Sequence, residues 1–180
     1  LLNNLLLGFA AFVVFAGTVY PLISRGIARR QISLGASFFN HSFAPIGILL
    51  VLLIGGCTLV PWGVIEGRKL AGRFRSPLLV SLALFAVIGV LMIPGKAGGS
   101  RSAALLISIV LGACAFAVGS IALDLIRAVA GYKRGRDIGV PAALWRILTR
   151  NRRKYAAQLV HLAVALSVIG ITGSTGLDIS

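Results

Sequence analysis

The stretch from Ser102 to Leu123, SAALLISIVLGACAFAVGSIAL, runs for 22 residues without a charged side chain. A helix needs about 20 largely apolar residues to cross the hydrocarbon layer of a bilayer. Four other windows are also free of charge, at 1–24, 31–65, 76–95 and 155–177. Within the five windows the sequence predicts transmembrane helices at 5–23, 43–65, 77–93, 103–126 and 155–171.

The composition favours the same class of protein. Of the 180 residues, 58% are hydrophobic and 12% are charged, whereas a soluble domain has about 25% charged residues. The mean hydropathy is +0.98. The spans lack the alternating pattern of a transmembrane barrel. The sequence therefore predicts an all-α, polytopic transmembrane helical bundle, with residues 1–180 forming a single membrane-domain fragment of a longer protein.

The charge balance is strongly basic, with 18 Lys and Arg against 4 Asp and Glu. On a soluble chain this balance would suggest a nucleic-acid partner. Because the chain is so apolar, the basic residues are instead predicted to lie in loops beside a membrane, and no nucleic-acid partner is predicted. Thirteen of the 18 basic residues lie in the loops 66–76 and 127–154. The positive-inside rule places these two loops in the cytoplasm.

The basic loop 127–154 contains a candidate helix of its own. Pro141 suits the first position of a helix, and Leu144, Trp145 and Leu148 follow along one side. Such a helix would lie at the membrane interface, although a solvated basic connector is an equal alternative. The basic charge most simply sets the topology, and binding of anionic membrane lipid is the other reading.

Groups that carry chemistry are scarce in this sequence. There is no pair of carboxylates within the spans, no phosphate-binding glycine loop and no Ser-His-Asp set, so no catalytic residue is predicted. Cys57 and Cys114 lie in apolar runs without metal-ligand spacing. Asp124 precedes Arg127 by three residues, a spacing that predicts an ion pair on one helix face.

His161 is the one ionisable residue well inside a predicted span, about 10 Å beyond Tyr155 along the helix. An ionisable group at that depth is a candidate functional residue. Ala157 and Ala165 lie one turn to either side, which leaves room for a flat ring or a close helix. Imidazole is an axial ligand of heme iron, and a hydrogen bond to another helix without a cofactor is the alternative. His41 is predicted to be solvated in an outward loop.

Four stretches together resemble a known family. They are Leu1-Leu2-Asn3-Asn4 leading into Gly17-Thr18-Val19-Tyr20-Pro21-Leu22; Ile32-Ser33-Leu34-Gly35 with Phe39-Asn40; Phe43 to Gly47, whose helix closes at Pro61-Trp62; and Asn151-Arg152-Arg153-Lys154-Tyr155, followed by Leu159-Val160-His161-Leu162-Ala163-Val164-Ala165 and Ile169-Gly170-Ile171. In order and spacing the chain resembles the C-terminal half of the CcmF-type cytochrome c biogenesis proteins. These are the heme lyase component of bacterial cytochrome c maturation.

The resemblance implies a multi-pass protein of the bacterial inner membrane that helps attach heme covalently to apocytochrome c. It implies that His161 is one of two axial ligands of the iron of a heme b, the other lying upstream of Leu1 with the family's tryptophan-rich heme segment. The implied partners are heme, a periplasmic heme chaperone, apocytochrome c, other membrane subunits of the maturation pathway, and membrane lipid. The fragment would supply scaffold and one ligand, and is not expected to be active alone.

Two details complete the comparison with the family. Ala156 and Ala157 stand where the family usually has paired glycines, and His41 does not correspond to the family's outward heme-handling histidines. The related heme lyase dedicated to nitrite reductase is an alternative within the same class. A permease or carrier module is the alternative from another class, and it would need polar residues facing a cavity in more than one span.

Overall fold

The computed structural model describes residues 1–28, 34–60, 67–92 and 101–177. These residues form six helices and no strand: α1 Leu2–Ala28, α2 Ala36–Leu59, α3 Gly67–Met92, α4 Arg101–Lys133, α5 Val140–Arg150 and α6 Arg152–Leu177. All but α5 are long and apolar enough to cross a membrane, over Leu2–Gly26, His41–Leu59, Leu70–Val90, Leu105–Lys133 and Arg152–Ser174. The predicted all-α polytopic class, with five spans, is confirmed.

The helices run further than the charge-free windows predicted. Residues 36–41 were predicted as loop but form the start of α2, so His41 is helical and exposed. The basic loop 66–76 is helical from Gly67 onward, and α4 continues past the predicted end at Ile126 to Lys133. Extending a helix costs little free energy once the helix has been nucleated. Lys and Arg are also good helix formers. The predicted span ends at residues 65 and 93 lie outside the described residues.

The chain divides into two compact units, Leu1–Leu53 and Ile54–Ser180. In the first unit, α1 meets the first turns of α2 at Gly17, where an added Cβ would lie 2.9 Å from ring atoms of Phe39. The rings of Phe38 and Phe39 pack edge to face with their centroids 5.4 Å apart. A larger residue at Gly17 would therefore make the Phe39 ring shift from its present position.

The second unit is organised around α4, which contacts α3, α5 and α6. In α4, 44% of the apolar window is buried within the protein, against 6% in α3. The residues it buries are mostly small, among them Ala113, Cys114, Ala117 and Ser120. Lipid removes most of the hydrophobic drive for helix association, so close approach between small residues becomes the main source of packing energy.

Three contacts show how closely the helices of this unit approach α4. The Ser81 hydroxyl of α3 donates a hydrogen bond to the Gly112 carbonyl oxygen across 2.7 Å. The rings of Phe74 and Phe116 stack with centroids 6.3 Å apart. A Cβ added to Gly55 of α2 would lie 2.6 Å from the Phe116 ring. A glycine and a serine therefore bring two helices onto the same part of α4.

The short helix predicted in the basic loop is confirmed as α5, with Pro141 in its first turn. The side that α5 buries within the protein is formed by residues other than those predicted to face the membrane. Ala143 and Ile147, four residues apart, are buried, whereas Trp145 is 69% exposed. Contact with α4 and α6 decides the buried side, and the small Ala143 permits that contact. Placement of α5 at the membrane interface stays a prediction.

Candidate functional site

Asp124 joins α4 to α6. One carboxylate oxygen, Oδ2, lies 2.7 Å from Lys154 Nζ and accepts a hydrogen bond from Gln158 Nε2 across 2.9 Å. The predicted pair with Arg127 is wrong, since no ion pair joins Asp124 to Arg127 in the part of the chain that the structure describes. Lys154 and Gln158 are one turn apart on α6, so a single carboxylate facing that helix contacts both.

The same contact determines where His161 lies. It follows Gln158 by three residues, hence on nearly the same face of α6 and about 4.5 Å further along the axis. His161 is half-buried, and Ala165, one turn beyond it, is fully buried. Within the described residues the His161 imidazole takes part in no hydrogen bond or ion pair. It therefore flanks the contact between α4 and α6.

These surroundings fit a single axial ligand of a heme. The imidazole offers a nitrogen donor that the described protein groups leave unused, and the side chains one turn away are both Ala. The described residues contain no group of three or more His, Cys, Asp and Glu that could hold a metal ion. The other histidine, His41, is exposed on α2 and not in the predicted loop. The described part of the chain thus offers one nitrogen donor at this position, and its role as a heme ligand stays a prediction.

Two cavities lie near the α4–α6 contact. One of about 400 Å³ is lined by Arg136, Arg150 and Lys154 where α4, α5 and α6 meet, and is called the basic cleft below. The other, of about 220 Å³, is lined by Arg73 together with Asp124 and Arg127. Sequence reasoning missed both, because each combines residues from separate helices. The sole signal in the sequence was the density of basic residues in the loop 127–154.

Known proteins similar to this chain share one description. The cytochrome c-type biogenesis protein CcmF of Pseudomonas aeruginosa is 31% identical over 182 residues, covering 97% of this chain and 24% of that protein. CycK of Bradyrhizobium diazoefficiens is 29% identical over 174 residues, with the same two shares. The protein ccl1 of Rhodobacter capsulatus is 39% identical over 90 residues, covering 50% of this chain and 14% of that protein.

The chain matches a segment of a CcmF-type cytochrome c biogenesis protein. The resemblance predicted from the four sequence stretches is therefore confirmed. This CcmF-type segment spans about a quarter of the length of the CcmF and CycK relatives it matches. No protein-family model and no solved structure matches it. Its five candidate spans and these relatives make it part of a multi-pass membrane protein.

The structure gives the stretches that carry the resemblance physical roles. Two of them, Gly17–Leu22 and Phe39-Asn40, meet where Gly17 of this CcmF-type segment accommodates the Phe39 ring. The last stretch forms α6 and carries both Lys154, which pairs with Asp124, and His161. One part of the shared pattern thus serves helix packing, and another sets the rotation of the helix that carries the candidate ligand.

Proposed function

We propose that this segment works in cytochrome c maturation, as part of a bacterial inner-membrane heme lyase that helps attach heme covalently to apocytochrome c. The descriptions of its relatives support the pathway, since each is called a cytochrome c-type biogenesis protein. The five candidate spans support a membrane subunit. On this proposal its partners are heme, a periplasmic heme chaperone, apocytochrome c and other membrane subunits of the pathway.

The observation that carries the more specific part of the proposal is the half-buried imidazole of His161 inside a membrane span. We propose that one of its ring nitrogens binds the iron of a heme b. Polar groups at such depth are costly, which favours a functional use for them. Heme bound there would supply one-electron redox chemistry.

The neighbouring residues suit this role. Ala157, one turn before His161, is exposed and keeps that face of α6 low, so a flat ring can approach the helix there. Ala165, one turn beyond, is covered by the rest of the chain. The bonds from Gln158 and Lys154 to Asp124 oppose rotation of α6 about its axis. Partial burial of His161 limits the access of water to the imidazole. The residues of this chain therefore hold and orient the ligand, and the segment alone is not expected to catalyse attachment.

The test is His161→Ala in the full-length protein. We expect loss of the b-type heme absorbance, a fall in cytochrome c maturation, and a normal amount of protein in the membrane. His41→Ala removes the other histidine of the segment and is expected to leave the heme spectrum unchanged. A wild-type heme spectrum in purified His161→Ala would contradict the ligand assignment, and His161 would then be a helix-packing residue.

A further inference from the structure

The basic cleft lies where two membrane spans end. The candidate span of α4 stops at Lys133, and that of α6 starts at Arg152. Between them α5 contacts both helices, and residues at the end of α4, in α5 and at the start of α6 line an open cleft of about 400 Å³. The cleft is therefore at the level where the chain leaves the hydrocarbon layer, which is also the level of lipid headgroups.

Positive charge in the cleft exceeds negative charge. Arg136, Arg150 and Lys154 line it, and none of its described lining residues is acidic. Lys154 shares its charge with Asp124 across 2.7 Å. Neither arginine forms an ion pair among the described residues, and Asp137, next to Arg136 in the chain, does not line the cleft. Two guanidinium groups thus present charge that no carboxylate of the described chain neutralises.

Arg136 is held in position before any ligand arrives. Gly135 has a φ of +79°, a conformation that glycine adopts readily, and it turns the chain back at the end of α4. The Arg136 guanidinium then lies 4.5 Å from the centroid of the Tyr132 ring and donates from Nη1 to the Tyr132 carbonyl oxygen across 3.1 Å. Its remaining N–H groups are left for another acceptor.

Apart from Asn151, the other residues that line the cleft are apolar or aromatic. Ala128 and Ile147 contribute aliphatic surface, and Tyr132 and Tyr155 contribute rings. A phosphate group is bound well by paired guanidinium groups. Free phosphate would make no use of the apolar walls, whereas a phospholipid places glycerol and the start of its acyl chains beside its phosphate.

We propose that the basic cleft binds the phosphate headgroup of an anionic phospholipid. Arg136 and Arg150 bind the phosphate oxygens from two different elements of the chain, while Ile147 and the tyrosine rings contact the glycerol region. Such a lipid connects the end of α4, α5 and the start of α6; Asp124 joins two of these helices, α4 and α6, further along. The site differs from a general basic surface because it depends on particular arginines.

The experiment uses the purified full-length protein in detergent, titrated with phosphatidylglycerol and examined by native mass spectrometry. We expect a one-to-one lipid complex that the double variant Arg136→Gln, Arg150→Gln weakens by at least about tenfold, since it removes both arginines that bind the phosphate. The matched control is Arg134→Gln, Arg146→Gln. It removes the same charge from the same loop, at two exposed positions that do not line the cleft, and should bind like the wild type.

Three results would overturn the proposal. Equal weakening by both double variants would show general charge attraction. Equal retention of phosphatidylcholine would show that the headgroup charge is not recognised. Displacement of the lipid by millimolar inorganic phosphate would identify a free-phosphate site. The last two comparisons use the wild-type protein, so they decide the matter even where a variant fails to fold.

Discussion

The Gln158 amide donates a hydrogen bond to the Asp124 carboxylate across 2.9 Å, joining two helices through residues 34 positions apart in the sequence. Gln158 is only 7% exposed. Lys154, one turn earlier on α6, contacts the same carboxylate oxygen. This arrangement ties the rotation of α6 to α4, so we expect the environment of His161 to depend on a residue that does not touch it.

Replacement of Asp124 by Ala leaves the buried Gln158 amide without its acceptor. An unsatisfied buried polar group costs about 1–3 kcal/mol, so the free energy of unfolding should fall by that amount. Asp124→Asn keeps an acceptor oxygen and should cost less. Thermal unfolding of the full-length protein in detergent measures both, with Arg127→Ala as the control for the neighbouring charge. An equal loss in Arg127→Ala would favour the pair predicted from sequence.

The close contact of Gly55 with Phe116 predicts that substitution by Ala affects stability very differently at Gly55 and at the adjacent Gly56. A Cβ at Gly55 would lie 2.6 Å from the Phe116 ring and 3.1 Å from the Ala117 Cα atom, which belongs to the backbone. Overpacking of this kind costs about 1–3 kcal/mol, so Gly55→Ala should lower the unfolding temperature. Gly56→Ala meets nothing within 4 Å and should be neutral or slightly stabilising. Equal behaviour of the two variants would show that α2 does not approach α4 this closely.

Adding free imidazole to a variant that lacks the His161 ring provides a second test of the proposed ligand. His161→Gly leaves a space the size of the imidazole beside two alanines, so free imidazole can enter it. We expect added imidazole to restore part of the b-type heme absorbance of the full-length variant in a concentration-dependent way. Leu159→Gly, at an exposed position on the same helix, controls for the effect of a glycine in α6. An identical response to imidazole in both variants would mean that the effect is not at the ligand position.

The loop charges predict the orientation of the chain in the membrane. In a full-length background lacking Cys57 and Cys114, a Cys at Ser33 should react with an impermeant thiol reagent added outside, and a Cys at Asp137 should not. Asp137 is exposed beyond the end of α4. The reverse labelling pattern would refute the orientation.

Several features could be predicted from sequence because their causes are local. The thickness of the hydrocarbon layer sets the length of an apolar segment, and each backbone group in lipid must be paired within its own helix. Five spans therefore follow from five charge-free windows, and the start of α5 follows from Pro141. The position of His161 inside a span is equally local. Its role as a ligand stays a proposal, because ligation depends on the heme as well as on the imidazole.

The sequence by itself determined the five spans and the position of His161 within one of them, whereas tertiary structure decided which residues meet. Asp124 has Arg127 close by in sequence, yet it binds Lys154 and Gln158 because α6 packs against that face of α4. Likewise, Arg136 and Arg150 come to line one cleft because α5 contacts both α4 and α6. In lipid, which helices associate is determined largely by close packing of small residues, such as the buried Ala117 and Ala165. That fit depends on pairs of surfaces far apart in the chain, which no single stretch of sequence specifies.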